Sequence, residues 1–130
     1  MHIESPAVRL GKDRQATFEY LSNLENFRNL MPENTQTFEL IDPDTFRFAL
    51  AGMPEIVLKR QEEIPFEKIV LGAASGKLPF TLTADVREVS PEETEVQLQF
   101  EGQFNAMMAM MVKGPITNFL GTLSRNLEKA

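Results

Sequence analysis

Acid–base chemistry in this chain would have to come from few side chains. Adjacent carboxylates stand at Glu62-Glu63 and Glu92-Glu93, and paired carboxylates can divide the roles of general acid and general base. Both pairs lie beside turn prolines, Pro65 and Pro91, where solvated charge is expected instead. His2 is the single histidine, Tyr20 the single tyrosine, and cysteine is absent. A histidine at the N-terminal tip is badly placed for a triad or a zinc site. Lack of cysteine removes thiolate nucleophiles, thiolate metal ligands and disulfides together. The reading therefore assigns no catalytic residue, no metal and no cofactor. An enzyme using Tyr20, Glu4 or another polar group with ordered water is kept as the alternative.

A second group of residues has unusual chemistry of another kind. Met107, Met108, Met110 and Met111 fall within five positions, and methionine is flexible and polarizable, suited to apolar shapes that vary. Helical spacing predicts Met108 and Met111 on an inward face with Val112, and Met107 and Met110 toward another side. The cluster reads as an adaptable portal for an apolar ligand, as a partner surface, or as core that fills gaps. Gly114-Pro115 follows directly. A proline removes the amide that would bond residue 111, which predicts a bend near Met111 to Pro115.

These residues need elements to hold them. Ile3, Val8 and Leu10 suggest a first strand over residues 2–10, with Pro6 at an edge or bulge. Asp13 can cap a short helix carrying Phe18 and Leu21, and Ser22 with Glu25 has the spacing of a capping box for a second, carrying Leu24, Phe27 and Met31. Turn signals at Asp42-Pro43-Asp44, Ala51-Gly52, Ile64-Pro65, Ser75-Gly76 and Ser90-Pro91-Glu92-Glu93 then delimit six strands. Phe80, Leu82, Ala84 and Val86 alternate with Thr81, Thr83, Asp85 and Arg87. Val96, Leu98 and Phe100 alternate in the same way with Gln97, Gln99 and Glu101, which defines one dry and one wet face. Phe46, Phe48 and Leu50, then Ile56 and Leu58, continue the dry face. Its cover is a helix from Asn105 to Lys129 with Ile116, Phe119, Leu120, Leu123 and Leu127 at helical spacing, about 37 Å long. On the strands with readable alternation no inward position is a base or a nucleophile.

Charge narrows the partners. Thirteen basic and 19 acidic residues leave a net charge of −6, which opposes phosphate backbones, so nucleic acid is excluded. No apolar run approaches the ~20 residues of a membrane span, and the N-terminus lacks the regions of a signal peptide. The expectation is a single cytoplasmic domain over residues 1–130, without integral membrane association.

The segment Ala16 to Pro32, ATFEYLSNLENFRNLMP, resembles the N-terminal pattern of the START-like superfamily, also known as polyketide cyclase/dehydrase or SRPBCC proteins: an aromatic, Leu-Ser, a Leu-Glu-Asn-Phe stretch and a Met-Pro stop. Phe100 to Leu123 is similar to that family's last strand and long helix. The resemblance covers the whole chain. It implies an α+β helix-grip fold: a seven-stranded curved antiparallel sheet, two short helices after strand 1, and a long C-terminal helix over the concave face. It also implies a cavity between sheet and helix. The ligand-binding cavity is expected to be lined by Phe18, Phe27, Phe46, Phe48, Leu58, Phe80, Leu82, Phe100, Met108, Met111, Val112, Pro115 and Phe119. The expected function is binding or carriage of a hydrophobic small molecule such as a lipid, quinone, isoprenoid or polyketide. Alternatives are a cyclase- or dehydratase-type enzyme acting on an apolar substrate, which the resemblance also implies, or an interaction module that uses the methionine-rich helix end, with a homodimer left open.

Overall fold

A computed structural model describes residues 1–50, 55–74 and 80–130. The turn residues Ala51-Gly52 and Ser75-Gly76 lie outside the described residues. Eight strands form one antiparallel sheet: β1 His2–Glu4, β2 Val8–Leu10, β3 Thr35–Asp42, β4 Thr45–Leu50, β5 Ile56–Ile64, β6 Lys68–Ala73, β7 Phe80–Ser90 and β8 Glu93–Gly102. The order across the sheet is β1-β8-β7-β6-β5-β4-β3, with β2 also on β8. The expected first strand is thus one edge ribbon interrupted at Ser5-Pro6-Ala7, and this accounts for eight strands rather than seven. The break is well satisfied. Ser5 N–H donates to the Leu98 carbonyl at 2.9 Å, and Leu98 N–H donates to Ser5 Oγ at 3.0 Å.

Curvature comes from irregular pairing. Register shifts lie between Thr35 and Thr37, Leu40 and Asp42, Arg60 and Glu62, and Glu88 and Ser90. An extra residue in one strand bends it and raises its twist. Two of these extra residues, Ile41 and Val89, are exposed large apolar side chains, because the shift takes them out of the inward alternation.

Three helical pieces follow local chemistry. Helix α1, Arg14–Ser22, is capped by Asp13, whose carboxylate accepts from Ala16 N–H at 2.7 Å. A 3-10 helix, Leu24–Asn29, is capped by Asn23, whose side chain accepts from Glu25 N–H. The predicted Ser22/Glu25 capping box does not form. Ser22 closes α1, and its hydroxyl donates to Glu63 at 2.6 Å. Helix α2, Ala106–Glu128, is capped by Asn105 accepting from Met108 N–H at 2.8 Å and runs on through Pro115. Its Val112, Ile116, Phe119, Leu120, Leu123 and Leu127 are buried and cover the sheet.

One side chain ties the short helices to the sheet. Arg60 of β5, 17% exposed, donates to the Ser22 carbonyl at 2.7 Å, Ser22 Oγ at 3.0 Å, the Pro43 carbonyl at 3.1 Å and Asp44 at 2.9 Å, and it also pairs with Glu63. A planar guanidinium with five donors can serve partners on several segments at once. Glu63, read from the sequence as a solvated carboxylate, is therefore half-buried and held from two sides.

Candidate ligand-binding site

The concave face of the sheet carries most of the predicted lining residues. Phe46, Phe48, Leu58, Leu82 and Phe100 are buried, as are Phe18 and Phe27 on the short helices and Val112 and Phe119 on α2. Alternation brings Phe46 and Phe48 to the same face of β4. Their rings then pack in series: Phe27 stacks on Phe46 at 5.2 Å, Phe46 on Phe48 at 5.8 Å, and Phe48 on Phe119 of α2 at 5.1 Å. A second cluster, Phe80, Phe100 and Phe104, sits where β8 turns into α2, with centroids 4.8 and 6.2 Å apart. Gly102 makes this close packing achievable. A Cβ there would lie 2.7 Å from the Phe104 ring.

Under the short helices this packing is tight. The void among Leu21, Phe27, Ile69, Leu71, Leu82, Ala84 and Leu98 is about 10 Å³, at most the size needed for one water. A larger space opens at the middle of α2. There Pro32, Asn34, Leu50, Gly114, Pro115, Asn118, Phe119 and Thr122 surround a hollow of about 370 Å³, within the range of small-molecule sites. Its floor is apolar, because Leu50 and Phe119 are core residues. Its rim is polar, with two amide side chains and a hydroxyl. Phe119 belongs both to the hollow and to the ring series, so the hollow meets the core at that ring.

One predicted lining residue stands elsewhere. Met111 is 66% exposed, beside Met107 at 74% and Met110 at 82%, and points outward instead of joining Val112. With three apolar residues in a row from 110 to 112, only one can sit at the centre of the inward face, and Val112 takes it. Pro115 is also exposed and contributes to the outer wall of the hollow. Met108 and Phe80 are half-buried against the core. The sequence does not single out Asn34, Asn118 or Thr122, and places Leu50 only on the dry face of its strand. Asn34 precedes a strand and Asn118 and Thr122 lie on the polar side of a helix, so only tertiary packing brings them together.

The candidate acid–base residues lie apart from this space. Glu4 is exposed on the edge strand, 3.0 Å from His2. Tyr20 is half-buried under the Lys12 ammonium, 4.6 Å from the ring centroid, and lines a separate hollow with Asn29, Leu30, Asn126 and Lys129. The polar residues buried among the described ones are Ser5, Thr17, Thr45, Thr94 and Ser124, none of them charged. The Arg28 guanidinium is raised above its ordinary value by its hydrogen bond to Glu25, on the surface. Outward polar groups pair across strands: Arg87 with Glu95 as an ion pair, and Gln99 donating to the Asp85 carboxylate at 2.6 Å. No described helix is long and apolar enough to cross a membrane.

The architecture is that of START-like, or SRPBCC, helix-grip proteins. A START superfamily protein from Mycobacterium smegmatis superimposes with a TM-score of 0.71 at 11% identity, over 98% of this chain and 94% of that one. Norcoclaurine synthase from Thalictrum flavum, solved with dopamine and hydroxybenzaldehyde, gives 0.74 at 10% identity over 99% and 84%. The di-domain ARO/CYC protein BexL of the BE-7585A biosynthetic pathway gives 0.67 at 14% identity, over 98% of this chain and 46% of that one. At such identities the likeness defines the fold and leaves the ligand open. No family model and no curated protein matches the sequence.

Proposed function

We infer that this protein binds a hydrophobic small molecule between its sheet and α2, with the hollow beside Gly114-Pro115 as the mouth of the site, and that it does so in the cytoplasm. The observation that carries this reading is the hollow itself, a space of about 370 Å³ whose floor is the buried pair Leu50 and Phe119 and whose rim holds Asn34, Asn118 and Thr122. An apolar body with one hydrogen-bonding end, such as a quinone, an isoprenoid alcohol or a fatty acyl chain, fits that division. The ring series behind Phe119, with Phe48, Phe46 and Phe27, would line the inner part of the site. Phe18, Leu58, Phe80, Leu82, Phe100, Met108 and Val112 would form the apolar walls around it. Norcoclaurine synthase from Thalictrum flavum, a chain of the same fold, is solved in complex with dopamine and hydroxybenzaldehyde, which supports use of the fold for small-molecule ligands. Carriage is favoured over catalysis because no charged residue is buried among the described ones.

The chain has no tryptophan, which permits a direct test. Asn118→Trp places a single indole on the exposed rim. Saturable quenching by a short-chain quinone, reversed by an isoprenoid alcohol or a fatty acid, is the expected result. Quenching that stays linear in quinone concentration, like that of free tryptophan, would remove the hollow as a binding site.

A further inference from the structure

Among the described residues, none packs against the outward face of α2 at its methionine turns. Met107, Met110 and Met111 are its first large side chains, exposed by two thirds or more. Continuing along the same side are Gly114, Thr117, Asn118 and Gly121, of which Gly114 and Asn118 also border the hollow, so a contact here lies beside its mouth. Positions seven apart on a helix fall within about 20° of each other, so Met107, Gly114 and Gly121 lie on one line. Glycine in a helix interior costs about 1 kcal/mol relative to alanine, and the fold does not require it here. A Cβ on Gly114 would meet nothing within 4 Å, and one on Gly121 only the Arg125 guanidinium at 3.7 Å.

The face therefore has a bulky half, the methionine turns, and a small half, Thr117 to Gly121. A two-fold axis near Gly114 would set each copy's methionines against the partner's small half and bring the two helices closest at Gly114. Such a reciprocal pattern is what a two-fold contact demands of one surface. Charge agrees with it. All 19 carboxylates lie outside residues 102–127, a stretch whose charged residues are Lys113 and Arg125. In a chain of net charge −6, this face can approach its own copy without apposing carboxylates. From Met107 to Gly121 the stripe is about 21 Å long on a cylinder about 10 Å across. Two such faces, half of each cylinder, bury roughly 660 Å², below the size of a standard interface, which implies a weak, reversible dimer. We propose that the protein self-associates through this face, in antiparallel α2–α2 contact crossing near Gly114.

Sedimentation equilibrium of the full chain from about 5 μM to about 1 mM tests this, with dissociation expected on the order of 100 μM, as for weak, transient contacts. Because two like-charged copies meet through an apolar face, added salt should strengthen the dimer. Met107→Glu should raise the dissociation constant at least about tenfold, a loss of hot-spot size. Gly121→Leu is the decisive variant. It fills the space opposite the partner's Met107 and should abolish the dimer while the circular dichroism spectrum is unchanged. Mere stickiness of an apolar face predicts the reverse, stronger association on adding a leucine. A strict monomer at 1 mM, or a Gly121→Leu variant that associates as well as its parent, would overturn the proposal.

Discussion

Phe48 of β4 and Phe119 of α2 lie 5.1 Å apart between ring centroids and within 9° of parallel, so one pair of stacked rings joins the long helix to β4. Phe119 is buried and also forms the floor of the hollow. Its truncation to alanine should cost about 3–5 kcal/mol, the usual range for a buried phenylalanine, and should enlarge the hollow inward. Urea denaturation followed by circular dichroism measures the first effect. A loss below about 1 kcal/mol would mean that the helix is held elsewhere.

Arg60 gives a prediction of a different kind, since its partners lie on three separate segments. Arg60→Met should cost about 1–3 kcal/mol, less than a fully buried ion pair because Asp44 is largely solvated. Arg60→Lys should recover only part of it, because an ammonium cannot reach the Ser22 and Pro43 carbonyls and Glu63 together. In the Arg60→Met background, Glu63→Gln should be less harmful than in the parent, because the carboxylate has already lost its counter-charge. Additive losses in this double-mutant cycle would deny the coupling.

Phe66 occupies the left-handed region with φ of 66°, at the third position of the turn Ile64-Pro65-Phe66-Glu67, which is closed by Glu67 N–H donating to the Ile64 carbonyl at 2.9 Å. Glycine is the ordinary residue at such a position. The phenylalanine is held there by its edge-on contact with Phe18 at 5.7 Å. Phe66→Ala loses the contact and keeps the strain, whereas Phe66→Gly loses both. The glycine variant should therefore be more stable than the alanine variant by about 1 kcal/mol, the reverse of the order expected where φ is negative. Thermal melts of the two variants decide it, and alanine above glycine would show the turn to be unstrained.

The strands and caps were legible because they depend on near neighbours. Alternation located β4, β7 and β8, and Asp13 and Asn105 each cap the helix they precede. Legibility failed where two readings are locally equivalent. Asn23, adjacent to Ser22, offers an equally good cap, and Ser22 was drawn off by Glu63, 41 residues away. Met110, Met111 and Val112 are all apolar, and the phase of α2 follows the deeper set from Ile116 to Leu127. Ile41 and Val89 sit at register shifts that a strict period of two does not anticipate. The hollow was the least legible part, because its rim joins Asn34 to Asn118 and Thr122 across the fold, and its floor joins a strand end to a helix face.

The central claim, an apolar small-molecule site under the middle of α2, is tested most directly by native mass spectrometry of the protein purified from its own cells. The account predicts a one-to-one adduct, removed by organic extraction, identifiable as an apolar molecule, and absent from Phe119→Ala protein that remains folded. A bare protein mass, with no adduct restored by quinones, isoprenoid alcohols or fatty acids, would contradict it.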